Sequence, residues 1–151
     1  MSALRLTGTV EFRSSLPNAS GPPGETKILS LNPQRKTGIL GVTQWPSLEP
    51  GSLNLAVSNE VIYKLKKLTP TWEEDGAAGT YPLGFEHIPR KRGAYLYYLA
   101  EAQAFGKRQA VLVRTARNAL GGRDELFAAV SLRGHLGLRE KDCVVVEVNA
   151  T

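Results

Sequence analysis

AYLYYLAEAQAFGKRQAVLVRT, residues 94–115, decides the architecture. Ala94 to Phe105 and Arg108 to Arg114 read as two strands, rich in aromatic and β-branched residues. Gly106-Lys107 between them reads as a hairpin turn. The N-terminus gives a cleaner signal. Leu4, Leu6, Gly8, Val10 and Phe12 fall on one face, and Arg5, Thr7, Thr9, Glu11 and Arg13 on the other, a period of two. Leu53, Leu55 and Val57 alternate again. Further strands are expected near Lys27 to Leu31, from Glu125 to Val130, and from Cys143 to Val148, the last one buried.

Helical signals are few. Ser58 is a candidate N-cap, with Glu60 in the first turn, Lys64, Lys66 and Lys67 near the end, and Pro70 as the stop. Val61, Ile62, Leu65 and Leu68 form its apolar face. Ser131 is a candidate cap for a short helix through Leu138, and Glu140 to Asp142 make a turn. SSLPNASGPPGETK (residues 14–27) is the richest turn segment, residues 32–54 carry no convincing period, and residues 69–93 read as a long loop. Six or seven strands and two short helices, without regular crossover helices, predict a mainly β protein. A small closed or nearly closed barrel fits best, as one domain over residues 1–151.

Composition agrees. A chain of 151 residues, 42% hydrophobic, with Gly 15 and Pro 9, suits one turn-rich domain. No apolar run approaches the roughly 20 residues of a membrane helix, and the N-terminus carries no apolar secretory segment. The single cysteine, Cys143, excludes an intramolecular disulfide and a multi-cysteine zinc site; a buried, inert thiol and a cytoplasmic location are expected. Net charge is +5, but residues 90–123 alone carry +7, a field that attracts phosphates, nucleic acid or an acidic partner.

Standard catalytic signatures are missing: no P-loop, no dinucleotide fingerprint, no H-x-E or H-E-x-x-H. His87 and His135 read as surface or structural residues. Trp45 and Trp72 read as buried anchors or as covers for a ligand, and Tyr95, Tyr97 and Tyr98 as strand core. Two segments stand out. In PGSLNL (residues 50–55), Ser52 and Asn54 are two apart, so a strand points both oxygens to one side. A hydroxyl and an amide carbonyl together make a neutral, hard-oxygen site, which suits Mg²⁺ when phosphates bring the negative charge. The alternative is a strand edge with two polar residues in water. In the C-terminal run, an apolar strand with Glu125 feeds a capped helix carrying Arg133.

Taken together, these segments resemble the archaeal-type CTP-dependent riboflavin kinases, which adopt a cradle-loop barrel. The likeness spans most of the chain in patches. It is carried by the strand Leu4 to Phe12, the loop through Gly21 and Gly24, PGSLNL, AVLVRT ending at Thr115, DELFAAV with Glu125, SLRGHLGL and REKDCVVVEV. The resemblance implies that Ser52 and Asn54 hold Mg²⁺. It implies that Thr115 and Glu125 contact riboflavin, and that Gly21, Gly24, Lys27, Ser131, Leu132, Arg133 and Gly134 embrace the nucleotide. Riboflavin's terminal hydroxyl would then attack the γ-phosphate of CTP, giving FMN and CDP. Glu125 would be the catalytic carboxylate, basic or orienting, with Arg133 or Lys27 stabilising phosphate charge. Pro22-Pro23 lengthens and stiffens the glycine loop and removes two N–H donors, a departure that suits a non-catalytic flavin- or nucleotide-binding barrel. The basic stretch suits a nucleic-acid-binding module.

Overall fold

The computed structural model describes residues 2–11, 33–49, 52–74, 95–116 and 123–149. In chain order these form β1 (Ser2–Glu11), α1 (Pro33–Thr43), β2 (Leu53–Ala56), α2 (Asn59–Lys66), β3 (Trp72–Glu74), β4 (Tyr95–Ala104), β5 (Lys107–Ala116), β6 (Arg123–Phe127), α3 (Leu132–His135) and β7 (Cys143–Asn149).

β4 closes the structure. One of its edges pairs with β5 along the full length, from Tyr95↔Ala116 to Ala104↔Lys107. The other edge is shared: residues 95–97 take β3 and residues 100–103 take β7. The ring β4-β5-β6-β2-β1-β7 is therefore a closed six-stranded barrel, antiparallel throughout, with β3 as an extra strand outside it. The expected mainly β barrel is what forms.

Alternation sorts each strand into an inner and an outer row. Leu6, Val10, Leu53, Leu55, Leu96, Tyr98, Val111, Val113, Leu126, Val144, Val146 and Val148 fill the interior. A second cluster of Ile39, Leu48, Tyr97, Leu112 and Phe127 lies on the outer face, with Trp45 and Trp72 packed against it. Tyr97 and Tyr98 are thus neighbours in sequence buried on opposite sides of the sheet, which explains the apolar density of YLYYL. Trp45 and Trp72 are partly buried anchors of the outer cluster.

Several local expectations shift. The hairpin turn is Phe105-Gly106, one residue earlier than read from the sequence. Both residues have positive φ, 52° and 75°, as a two-residue type I′ turn requires. β6 runs Arg123–Phe127 and stops before Val130. Residues 72–74 of the expected long loop are strand β3. Ser58 caps α2 as expected, accepting from the Val61 N–H at 3.2 Å. Ser131 caps α3, which ends at His135 rather than Leu138, and the Leu138 N–H folds back onto the Arg133 carbonyl at 2.9 Å. Cys143 is exposed, not buried: it begins β7 on the outward phase, one residue before inward Val144. The strand expected near Lys27 to Leu31 lies outside the described residues.

α1 is a third helix among the described residues, where the sequence carries no helical period. Among its described side chains only Ile39 is fully buried, and Gly38 and Gly41 lower its propensity. Tertiary contact explains it. A Cβ at position 38 would stand 2.5 Å from Trp72 Cζ2, so only glycine lets the indole lie against the helix. That indole in turn stacks on Tyr97, ring centres 4.7 Å apart. Gly38→Ala raises helix propensity by about 1 kcal/mol at an ordinary position. Here it is expected to destabilise by about 1–3 kcal/mol in urea unfolding, through overpacking. In a Trp72→Leu background the loss should largely vanish; an equal loss in both backgrounds would disprove the contact.

Candidate functional site

Register builds a polar row across the outer face of the barrel. Glu11 pairs with Asn54, Asn54 with Glu125, and Glu125 with Arg114, so side chains from β1, β2, β6 and β5 line up side by side. Ser52, two residues before Asn54, shares that face. Its hydroxyl donates to Glu125 Oε2 at 2.8 Å, and Arg114 Nη2 donates to Glu125 Oε1 at 2.5 Å. Glu49, three residues before Ser52, is held next to β6, its N–H donating to the Ala128 carbonyl at 2.9 Å.

Arg114 is 4% exposed. Its guanidinium carbon lies 4.0 Å from the centre of the Tyr95 ring and 5.5 Å from that of Phe127. Ring faces and a carboxylate together offset the loss of water around a buried cation. This arginine comes from the basic stretch, yet it is spent inside the protein rather than on a surface field. Arg108, from the same stretch, is exposed and lies 3.7 Å from Glu101.

The pairing has a consequence for Ser52. An ionised carboxylate only accepts hydrogen bonds. The Ser52 proton is therefore committed to Glu125, and the hydroxyl offers lone pairs to anything else. Asn54, half-buried on the same face, brings an amide carbonyl. Among the described residues no group of three or more His, Cys, Asp or Glu gathers as a metal cage. What the face offers is a neutral oxygen pair beside one carboxylate already matched by an arginine. That donor chemistry fits a Mg²⁺ ion sharing its charge with phosphates.

Thr115 does not join Glu125. Arg114 and Glu125 face outward, so Thr115 and Asp124 face inward, where both are buried. Of the expected nucleotide residues, Ser131 is held at the helix cap, accepting from the Gly134 N–H at 3.4 Å. Leu132 packs into the barrel core, and Arg133 and Gly134 are exposed. Gly21, Gly24 and Lys27 lie outside the described residues, as do His87 and Pro22-Pro23. His135 is exposed on α3.

Sequence reading missed Arg114, Tyr95 and Asp124. A charged residue inside the apolar run AVLVRT was a signal; its partner needed the cross-strand register. Asp124 is 1% exposed, and neither carboxylate oxygen has a hydrogen-bond partner among the described residues. Burial pushes its pKa up to about 6; the Thr115 hydroxyl and Lys66 oppose the rise, and Glu125 adds to it. Thr115 is close by, but no donor meets either oxygen with hydrogen-bond geometry. Tyr98 is pushed up to about 12, by burial first and then by the Asp124 charge.

A scan against protein-family models and a search of curated proteins return no match to this chain. No helix among the described residues is long and apolar enough to cross a membrane.

Asp124 makes a stability prediction. Its raised pKa means the fold holds the proton more tightly than the unfolded chain does. Its contribution is therefore most favourable below about pH 3.8 and is lost as pH rises to about 6. Asp124→Asn should gain little at pH 3.5 and on the order of 2–3 kcal/mol at pH 7. Urea unfolding of both proteins across pH 3.5–7.5 measures the difference, and a flat difference would refute it.

Proposed function

We propose that this protein is a Mg²⁺-dependent phosphotransferase of the riboflavin-kinase type, which moves the γ-phosphate of CTP to the terminal hydroxyl of riboflavin. The observation that carries the reading is the Ser52–Glu125–Arg114 chain on the outer face of the barrel, with Asn54 beside it. In the reaction a substrate hydroxyl loses its proton and bonds to the γ-phosphorus. The bond from that phosphorus to the β-phosphate oxygen breaks, leaving FMN and CDP. Such a transfer asks the protein mainly for positioning and charge neutralisation.

Ser52 and Asn54 would hold the Mg²⁺, which when bound neutralises phosphate charge. Ser52 is oriented for that part because its proton is committed to Glu125. Glu125 is fixed at both oxygens, yet each oxygen retains an acceptor position. It would orient the attacking hydroxyl or take its proton. By resemblance, Gly21, Gly24, Lys27 and residues 131–134 would surround the nucleotide, with Arg133 or Lys27 stabilising its phosphate charge.

A second reading is a flavin- or nucleotide-binding barrel without turnover. It is favoured by the engagement of both Glu125 oxygens and by the inward aim of Thr115. A nucleic-acid module is supported less, because Arg114 is withdrawn from the basic surface.

Incubation with riboflavin, Mg²⁺ and each of CTP, ATP, GTP and UTP tests the reading. FMN should appear with CTP and disappear with a chelator. Glu125→Gln should lower kcat about a hundredfold, and Ser52→Ala should raise the Mg²⁺ requirement. Flavin binding without FMN from any nucleotide would establish the second reading. Salt-sensitive binding to DNA or RNA, with no flavin binding, would establish the third.

A further inference from the structure

The β4–β5 hairpin overruns the barrel. β5 pairs with β4 along its whole length, but β6 covers its other edge only from Leu112 to Arg114. Among the described residues no strand pairs with that edge before Leu112. Burial changes at the same point. Val111 to Thr115 are all buried, whereas Lys107, Arg108 and Ala110 are exposed and Gln109 is half-buried. A strand within a barrel buries at least one of its two faces; residues 107–110 bury neither.

Register shows what this edge displays. The two-residue turn makes Ala104 and Lys107 a hydrogen-bonded pair, and such pairs recur at every second residue. Lys107, Gln109 and Val111 therefore direct their backbone groups to β4. Arg108 and Ala110 direct theirs to the opposite edge, in line with Leu112 and Arg114, which meet β6. The Ala110 carbonyl accepts from the Gln109 side-chain amide, Nε2 lying 3.2 Å away on the exposed surface. A side chain thus stands where a neighbouring strand would donate.

The tip adds two features. Phe105 is 67% exposed and holds a left-handed φ of 52°, where asparagine or glycine is the usual choice. Strain of this kind concentrates at recognition sites. Beside it stand the exposed cations of Lys107 and Arg108, the latter 3.7 Å from Glu101 with its side chain 70% exposed. Cations on an edge repel strands of like charge and favour a strand of opposite sign.

We infer that the open edge of β5, Arg108 and Ala110 with Phe105 at its end, takes an extended acidic segment of a partner protein as an added β-strand. Main-chain hydrogen bonds to Arg108 and Ala110 supply the affinity, and Lys107 and Arg108 select the sign of the charge. A second copy of this chain suits the edge poorly, because self-pairing brings two sets of Lys107 and Arg108 together on one short edge. The inference stands apart from the kinase reading, since Arg114 and Glu125 lie where β5 is already covered by β6.

The test uses a fluorescein-labelled octapeptide of alternating valine and glutamate, the same peptide with every backbone nitrogen methylated, and a valine–lysine counterpart. Fluorescence anisotropy with the full chain should show binding of the acidic peptide, weaker by about tenfold or more for each of the other two. Bound acidic peptide should slow hydrogen exchange at the Arg108 and Ala110 amides, a reading that needs no variant. Ala110→Pro removes an N–H from the open edge alone, so it should keep the wild-type circular dichroism and lose the acidic peptide by a similar factor. Equal binding of the methylated or the lysine peptide, or unchanged exchange at those two amides, would overturn the inference. Protection of the same amides by self-association as protein concentration rises would also overturn it, making a second copy the occupant. Failure of the acidic peptide to bind would overturn it as well, whatever the assay for FMN shows.

Discussion

The structure depends on β4 serving three partners. A sheet closes into a barrel only if its last strand finds the first, and here that meeting is confined to residues 100–103 against β7. The inward residues at this end of β4 are Ala100, Ala102 and Ala104, each facing into an interior already filled by Val144, Val146 and Val148. Small side chains let the seam come together without crowding the core. At the other end of the same strand the inward residues are Leu96 and Tyr98, and the edge opposite β5 is given to β3. Side-chain size therefore varies along one strand.

Closure by β4 also creates the outer cluster. Once β3 lies beside β4, Trp72 and Tyr97 form an aromatic surface that α1 covers through Gly38. The Arg114 side chain runs along the edge of this layer, between Tyr95 and Phe127. Those rings hold the guanidinium against Glu125, and Glu125 in turn orients Ser52. The polar row is thus anchored to packing rather than suspended from a loop, the arrangement that a site needing fixed distances requires.

Much of this was legible in the residues because period-two alternation is a local property. β1 repeats it from Leu4 to Val10, and the interior positions follow from it. PGSLNL likewise announced two polar side chains on one face. The rest was not local. α1 is a helix because a tryptophan more than thirty residues away lies against its glycine, and no window of sequence contains both. Arg114 meets Glu125, and Glu125 meets Ser52, by register between strands. The turn at Phe105-Gly106 was displaced by one residue because a phenylalanine occupies a left-handed position that asparagine or glycine normally fills. Thr115 and Glu125 seemed one group in the linear sequence; an even spacing of ten across a strand connection does not fix the face, and the register set them apart.

The two carboxylates on β6 then stand as a contrast in electrostatics. Glu125 is bound at both oxygens, and the charge it carries is matched by a cation that itself is packed between rings. Asp124, one residue away and facing inward, meets no donor with hydrogen-bond geometry among the described residues, and burial raises the free energy of its charged form more than Thr115 and Lys66 lower it. Separation by one residue on a strand is enough for this, because the sheet itself stands between them. The outer carboxylate is stabilised by the fold and is suited to holding geometry. The inner one is tolerated by the fold at a cost, which its protonated form lowers.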